Sequence, residues 1–128
     1  YLQGNTPFMD PIEPTVGQNY LHVDNNELQY DQPLFDTPYI NEIMEEHQLV
    51  RTRVMKMKPK TCYYWHSDST KRLHIAIDTH PHCFLLVDGE QFHIPADGKA
   101  VVVDTTKMHT ALNASKIDRI HIVGAFSV

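Results

Sequence analysis

The chain has 128 residues, with 11 lysines and arginines against 16 aspartates and glutamates, and a net charge of −5. That length supports one hydrophobic core, so a single domain is expected, with an N-terminal arm and helix over 1–47 and a β core over 48–128. Aliphatic runs such as Phe84 to Val87 and Ile120 to Val123 are too short to cross a bilayer, and the scattered basic residues leave no footprint for nucleic acid, so a soluble protein with neither partner is expected.

Residues 1–35 are polar and rich in proline (Pro7, Pro11, Pro14, Pro33). They read as an arm wrapping the core, with one hairpin pairing Tyr20–Val23 with Glu27–Tyr30. Thr37-Pro38 then predicts a helix start, Thr37 as cap and Pro38 in the first turn, with Ile40, Ile43, Met44 and His47 on one side and an end near Glu46 or His47. From there the period changes to alternation. Strands are predicted at 49–57, 61–66, 71–77, 82–87, 90–94, 99–103, 108–111 and 117–126. Asp88-Gly89 is a hairpin turn and Pro95 to Gly98 another. About eight short strands joined by turns predict a sandwich, jelly roll or small barrel. The basic stretch Arg51 to Lys60 reads as a solvated strand and turn. Two cysteines, Cys62 and Cys83, are expected to be reduced; with no secretory signal in the first residues, a cytoplasmic location is expected.

Alternation also sets which side chains share a face. In Lys71 to Ile77 it groups Arg72, His74 and Ala76 against Leu73, Ile75 and Ile77; in the last strand it groups Arg119 and His121 against Ile120 and Ile122. Two cationic faces beside apolar ones must meet solvent or line a cavity that holds an anion. Trp65-His66-Ser67-Asp68 and His109 supply two imidazoles and a carboxylate, a set that occupies one face of a ferrous ion and leaves the other open, as in non-heme iron oxygenases. His109 follows the Val101 to Asp104 run, whose strand is expected to bring it across from the opposite sheet. Among nine histidines, His66-x-Asp68 is also explained as chance in a loop. Arg119, ten residues past His109, adds a partner for a carboxylate; its bland alternative is a surface ion pair with Asp118 or Glu90. His121 reads as a support of this site or as a satisfied core histidine, Trp65 as a cavity wall or a packed aromatic, Cys83 as a small core side chain, and Asp104 as a brace for the turn before His109. His80-Pro-His82 is a loop entering a strand.

Met57-Lys-Pro59, Trp65 to Asp68, Arg72-x-His74, Asp88-Gly89, Asp104, His109, Asn113-Ala-Ser115 and Arg119 to Val123, in this order, resemble the aspartyl/asparaginyl β-hydroxylase family of 2-oxoglutarate- and iron(II)-dependent dioxygenases. The resemblance covers roughly the last eighty residues. It implies a double-stranded β-helix of the cupin superfamily. It also implies that His66 and His109 bind iron, that Arg119 pairs with the distal carboxylate of 2-oxoglutarate, and that Arg72 and His74 contact this cosubstrate. Asp68 is present where the hydroxylase that names the family lacks an acidic ligand, which implies the His66, Asp68, His109 triad of related amino-acid hydroxylases. Met55 stands where that enzyme has a serine near the cosubstrate. The implied activity is hydroxylation of a C–H bond in an amino acid or peptide, using dioxygen and 2-oxoglutarate. The alternatives are a metal-binding cupin without oxygenase activity, with a binding, sensing or structural role, and an inactive relative serving as an interaction module.

Overall fold

The structure, a computed structural model, describes residues 1–4, 28 and 31–128. The predicted hairpin at 20–30 lies outside the described residues apart from residue 28. Ten strands and one helix follow in the order β1 (Gln3–Gly4), β2 (Gln32–Pro33), α1 (Pro38–Glu46), β3 (Leu49–Met57), β4 (Thr61–Cys62), β5 (Arg72–Asp78), β6 (Cys83–Val87), β7 (Glu90–Phe92), β8 (Val101–Val103), β9 (His109–Asn113) and β10 (Arg119–Phe126). They form a four-stranded major sheet, β3-β10-β5-β8, a four-stranded minor sheet, β4-β9-β6-β7, and the small β1-β2 pair, all antiparallel. This is the predicted mainly-β jelly roll with an arm and one short helix.

The alternation in β5 and β10 builds two cores on opposite sides of the major sheet. On the outer side, Leu73 and Ile75 of β5, Ile122 of β10 and Leu49 of β3 pack against Ile43 and Met44 of α1. On the inner side, Met57, Ala76 and Val103 of the major sheet meet Leu85, Val87 and Ala111 of the minor sheet, together with Ile94. Ile77 breaks the outer stripe and is exposed; it is the residue skipped where β10 pairs Ile120 with Asp78 and His121 with Ala76.

Turn chemistry fixes the register. Asp88 and Gly89 both take positive φ, 51° and 82°, the two-residue hairpin loop that joins Val87 to Glu90. Thr37 precedes the helix as predicted, but its hydroxyl makes no cap bond and turns to Oδ1 of Asn41 at 3.3 Å. The predicted strand 61–66 shortens to Thr61–Cys62, followed by an isolated bridge at His66.

β3 is the edge of the major sheet, and the arm covers it. The Leu2 amide donates to the Thr52 carbonyl, while the Gln3 amide group donates to the Leu49 carbonyl at 2.7 Å and its carbonyl oxygen accepts from the Thr52 amide and hydroxyl. A covered edge presents no unpaired ladder to another chain. On its other side β3 lies close against β10: a Cβ on Gly124 would lie 2.7 Å from Leu49 Cδ1 and 2.9 Å from Thr52 Oγ1. The solvated strand expected over Arg51 to Lys60 is therefore corrected for its first half, where Arg51 and Thr52 are buried, and at Met57.

A candidate metal centre in the mouth of the jelly roll

His66 and His109 are brought together by direct backbone pairing. The His66 amide donates to the His109 carbonyl at 3.1 Å and the His109 amide donates back at 2.9 Å. Residues that exchange both bonds in an antiparallel pair point to the same face, and the two imidazole centroids lie 4.2 Å apart. The expectation that His109 crosses from the opposite sheet is corrected: the pair sits within one sheet. Asp68 enters from the segment after His66, its amide donating to the Thr105 carbonyl at 2.8 Å. One ligand atom from each of His66, Asp68 and His109 lies within 4.8 Å of the others.

The hydrogen bonds around the imidazoles set their tautomers. Nδ1 of His66 lies 2.9 Å from the Tyr64 carbonyl, and Nδ1 of His109 lies 2.9 Å from the Lys107 carbonyl. A carbonyl only accepts, so each Nδ1 carries the proton and each Nε2 is left with its lone pair. Nε2 of His109 then faces Oδ2 of Asp68 at 3.5 Å. A lone pair facing a carboxylate calls for a positive charge between them, and backbone carbonyls holding Nδ1–H are the usual support of metal-binding histidines. The donor set fits a divalent ion of borderline hardness.

Arg72 reaches this carboxylate as well, with Nε 3.6 Å from Asp68 Oδ2 and one terminal nitrogen donating to the Thr70 hydroxyl at 2.7 Å and the Thr70 carbonyl at 3.2 Å. Its guanidinium thus braces the acidic ligand from the neighbouring strand. The Asp104 carboxylate accepts from the Thr106 hydroxyl and its carbonyl from the Lys107 amide, which shapes the turn into His109 as expected. The Thr106 bond also holds the Asp104 carboxyl below its ordinary value.

Deeper in the cavity lie Arg119 and His74. Arg119 is 3% exposed, its Nε has no hydrogen-bond partner, and no acidic side chain among the described residues pairs with it. Burial lowers its proton affinity, yet a guanidinium stays charged. Such a buried cation is costly unless an anion meets it. His74 and His121 face each other with their Nδ1 atoms 3.1 Å apart. Burial and then Arg119 push His74 down to about 3 and His121 down to about 2, so both are neutral.

All six residues picked out in the sequence, His66, Asp68, His109, Arg72, His74 and Arg119, line this one cavity. His121 lies behind it. Trp65 is neither wall nor packed core: it is 53% exposed, while Tyr63 and Tyr64 line the cavity instead. The sequence reading missed Arg51, Arg53 and Thr105 in the lining. The alternation Arg51, Arg53, Met55, Met57 was the signal that could have placed the two arginines. His80 and His82 stay in the turn before β6, and Cys83 is buried with its thiol directed at Asn113 Oδ1.

The family profile described as Aspartyl/Asparaginyl beta-hydroxylase matches residues 19–127. An L-proline cis-4-hydroxylase of Rhizobium meliloti (strain 1021) is 31% identical over an alignment of 96 residues, with 67% of this chain and 34% of the relative covered. The chain therefore spans about a third of that relative's length. Among solved structures, a cupin domain from Bordetella pertussis superposes with a TM-score of 0.53 at 14% identity, covering 62% of this chain and 82% of that one. A protein described as a predicted oxalate decarboxylase from Thermotoga maritima gives 0.53 at 16% identity, covering 68% and 73%. These two establish the cupin fold and nothing more. With the profile spanning most of its length and a hydroxylase among its relatives, the chain belongs to the aspartyl/asparaginyl β-hydroxylase family.

Proposed function

We propose that this protein is an iron(II)- and 2-oxoglutarate-dependent dioxygenase that hydroxylates an amino-acid or peptide side chain. The carrying observation is one cavity that combines a His66, Asp68, His109 donor set with the buried guanidinium of Arg119, with which no acidic side chain among the described residues pairs. A cupin that merely stores a metal has use for the first and none for the second. The R. meliloti relative, named for proline, makes a free amino acid of that kind the first substrate to try.

His66, Asp68 and His109 would hold iron(II). With iron and 2-oxoglutarate bound, the chemistry supplied is the coupled conversion of 2-oxoglutarate, dioxygen and a C–H bond to succinate, carbon dioxide and a C–OH bond. The chain's own residues prepare the cavity. The Tyr64 and Lys107 carbonyls hold the two imidazoles in the metal-binding tautomer, and Arg72 fixes the Asp68 carboxylate. Arg119 would receive the distal carboxylate of 2-oxoglutarate. Neutral His74 adds a hydrogen bond without a second full charge. Leu85, Ala111 and Val123 form an apolar wall that limits water. Residues Cys62 and Cys83 are both free thiols, which suits a reducing compartment such as the cytoplasm.

The test is anaerobic addition of iron(II) and 2-oxoglutarate to metal-free protein, watching for the visible charge-transfer band of the chelate. Wild type should give the band, Asp68→Ala should lose it, and Arg119→Ala should need far more 2-oxoglutarate to reach it. No band with wild type overturns the oxygenase reading. A band indifferent to Arg119→Ala overturns only the role given to that arginine.

A further inference from the structure

Arg51, Arg53, Met55 and Met57 alternate along β3, and the first three line the cavity while Met57 closes the inner core. Arg51 is placed by a bulge. Between the Arg53–Val123 and Val50–Ala125 pairs β3 carries one residue more than β10, and Arg51 takes φ 51° there. A left-handed backbone at a residue with a Cβ costs on the order of 1 kcal/mol, and bulges of this kind re-aim a side chain. Glycine is the residue that would avoid the cost. Instead the position holds an arginine that is only 5% exposed.

The ladder registers say where these two arginines lie. Met57 is opposite Arg119, the end proposed for the distal carboxylate of 2-oxoglutarate. Arg53 is opposite Val123, whose other neighbour is His74. Val50 is opposite Ala125, whose other neighbour is Arg72, the residue that touches Asp68. From Arg119 toward the metal ligands, β3 therefore presents Met57, Met55, Arg53 and Arg51 in turn. The two arginines sit on the metal side of the cavity, where a substrate's reacting carbon must come.

We propose that Arg51 and Arg53 form a second carboxylate site, distinct from Arg119, which selects a carboxylate-bearing substrate and orients it beside the metal. The proposal rests on the dioxygenase reading above for what happens next, but not for the binding itself. A planar fork of donors suits a carboxylate better than a neutral amide, and the buried position of Arg51 strengthens the attraction. The carboxylate has two sources, the α-carboxylate of a free amino acid or the side chain of an acidic residue within a peptide.

Calorimetric titration separates these possibilities. The probes are free L-amino acids, L-proline first, and an aspartyl residue capped at both ends, each compared with its neutral amide (prolinamide, capped asparagine). They are titrated into the full chain, with and without anaerobic iron(II) and 2-oxoglutarate. One acid should bind at least about tenfold more tightly than its amide, and Arg51→Gln and Arg53→Gln should each erase most of that preference, with Arg51→Lys retaining part of it. Which acid shows the preference names the source. Absence of any acid-over-amide preference in wild type overturns the proposal, as does a preference unchanged in both glutamine variants. The wild-type comparison stands even if a variant fails to fold. A preference without the chelate band keeps this site and removes the dioxygenase reading; a band without the preference does the reverse.

Discussion

The two faces of the major sheet are made by the same strands and behave as different materials. Outside, Leu73, Ile75 and Ile122 meet Ile43 and Met44 in a hydrocarbon contact in which every group is apolar. Inside, the residues between them in sequence, Arg72, His74, His121 and Arg119, are equally buried, and two of them keep a polar atom without a partner, Arg119 Nε and His121 Nε2. The outer face lowers the free energy of the fold. The inner face raises it and holds its polar groups ready for what enters.

Substitutions on the two faces should therefore separate folding from function. His66→Ala, across the cavity from the inner face, is expected to weaken iron(II) binding by more than the roughly 10–100-fold that losing one supporting hydrogen bond costs, with the melting temperature nearly unchanged. Leu73→Ala on the outer face should do the opposite, lowering stability by about 2–5 kcal/mol while the folded fraction binds iron normally. Chemical denaturation and metal titration of both variants check this. If His66→Ala unfolds the protein, or Leu73→Ala spares it, the division between faces fails.

Arg119→Leu sharpens the contrast at a single side chain. Replacing a buried cation that pairs with no acidic side chain among the described residues by a shorter apolar group removes a desolvation penalty, so stability should hold or rise. Affinity for 2-oxoglutarate should fall by about 10–100-fold, the worth of a charge-assisted contact. Denaturation and anaerobic titration of one preparation measure both quantities. A variant that is less stable and binds 2-oxoglutarate as before would put Arg119 on the structural side.

Much of this division was legible beforehand. Period two in Arg72 to Ile77 assigned both faces of β5, and Asp88-Gly89 fixed the hairpin that sets Val87 opposite Glu90. The Arg119 and His109 spacing pointed to one cavity, and both side chains line it. Less legible was whatever depends on contacts between distant segments. Arg51 looked solvated because nothing local shows that Gln3 will cap the edge of β3, or that a bulge will turn Arg51 inward. His66 and His109 looked like opposite walls because a two-residue bridge leaves no run of alternating residues to read. Trp65 looked like a wall or a packed aromatic because it precedes His66 at an expected strand end, and alternation alone does not say where a short strand stops.

The smallest expected effect lies in the buried His74 and His121 pair, and it is a pH effect. Their Nδ1 atoms are 3.1 Å apart, so one donates and the other accepts, an arrangement that two protonated rings do not allow. Desolvation comes first in keeping them neutral, and the charged groups around them, Arg119, Arg72 and Arg53, with His109 and His93, add to it. In the unfolded chain both histidines take up a proton near their ordinary value of about 6.5, whereas the folded values are about 3 and about 2. Below pH 6.5 the unfolded state therefore binds more protons, and stability must fall with falling pH, by up to about 1.4 kcal/mol per pH unit for each histidine. His121→Phe removes one of the two sites and the Nδ1 contact, so between pH 6 and pH 5 its stability should fall less steeply than that of wild type. Urea denaturation at these two values measures both slopes. Equal slopes would mean that His121 is charged in the folded protein, and the inner face would then hold a further cation beside its arginines instead of a neutral hydrogen-bonded pair.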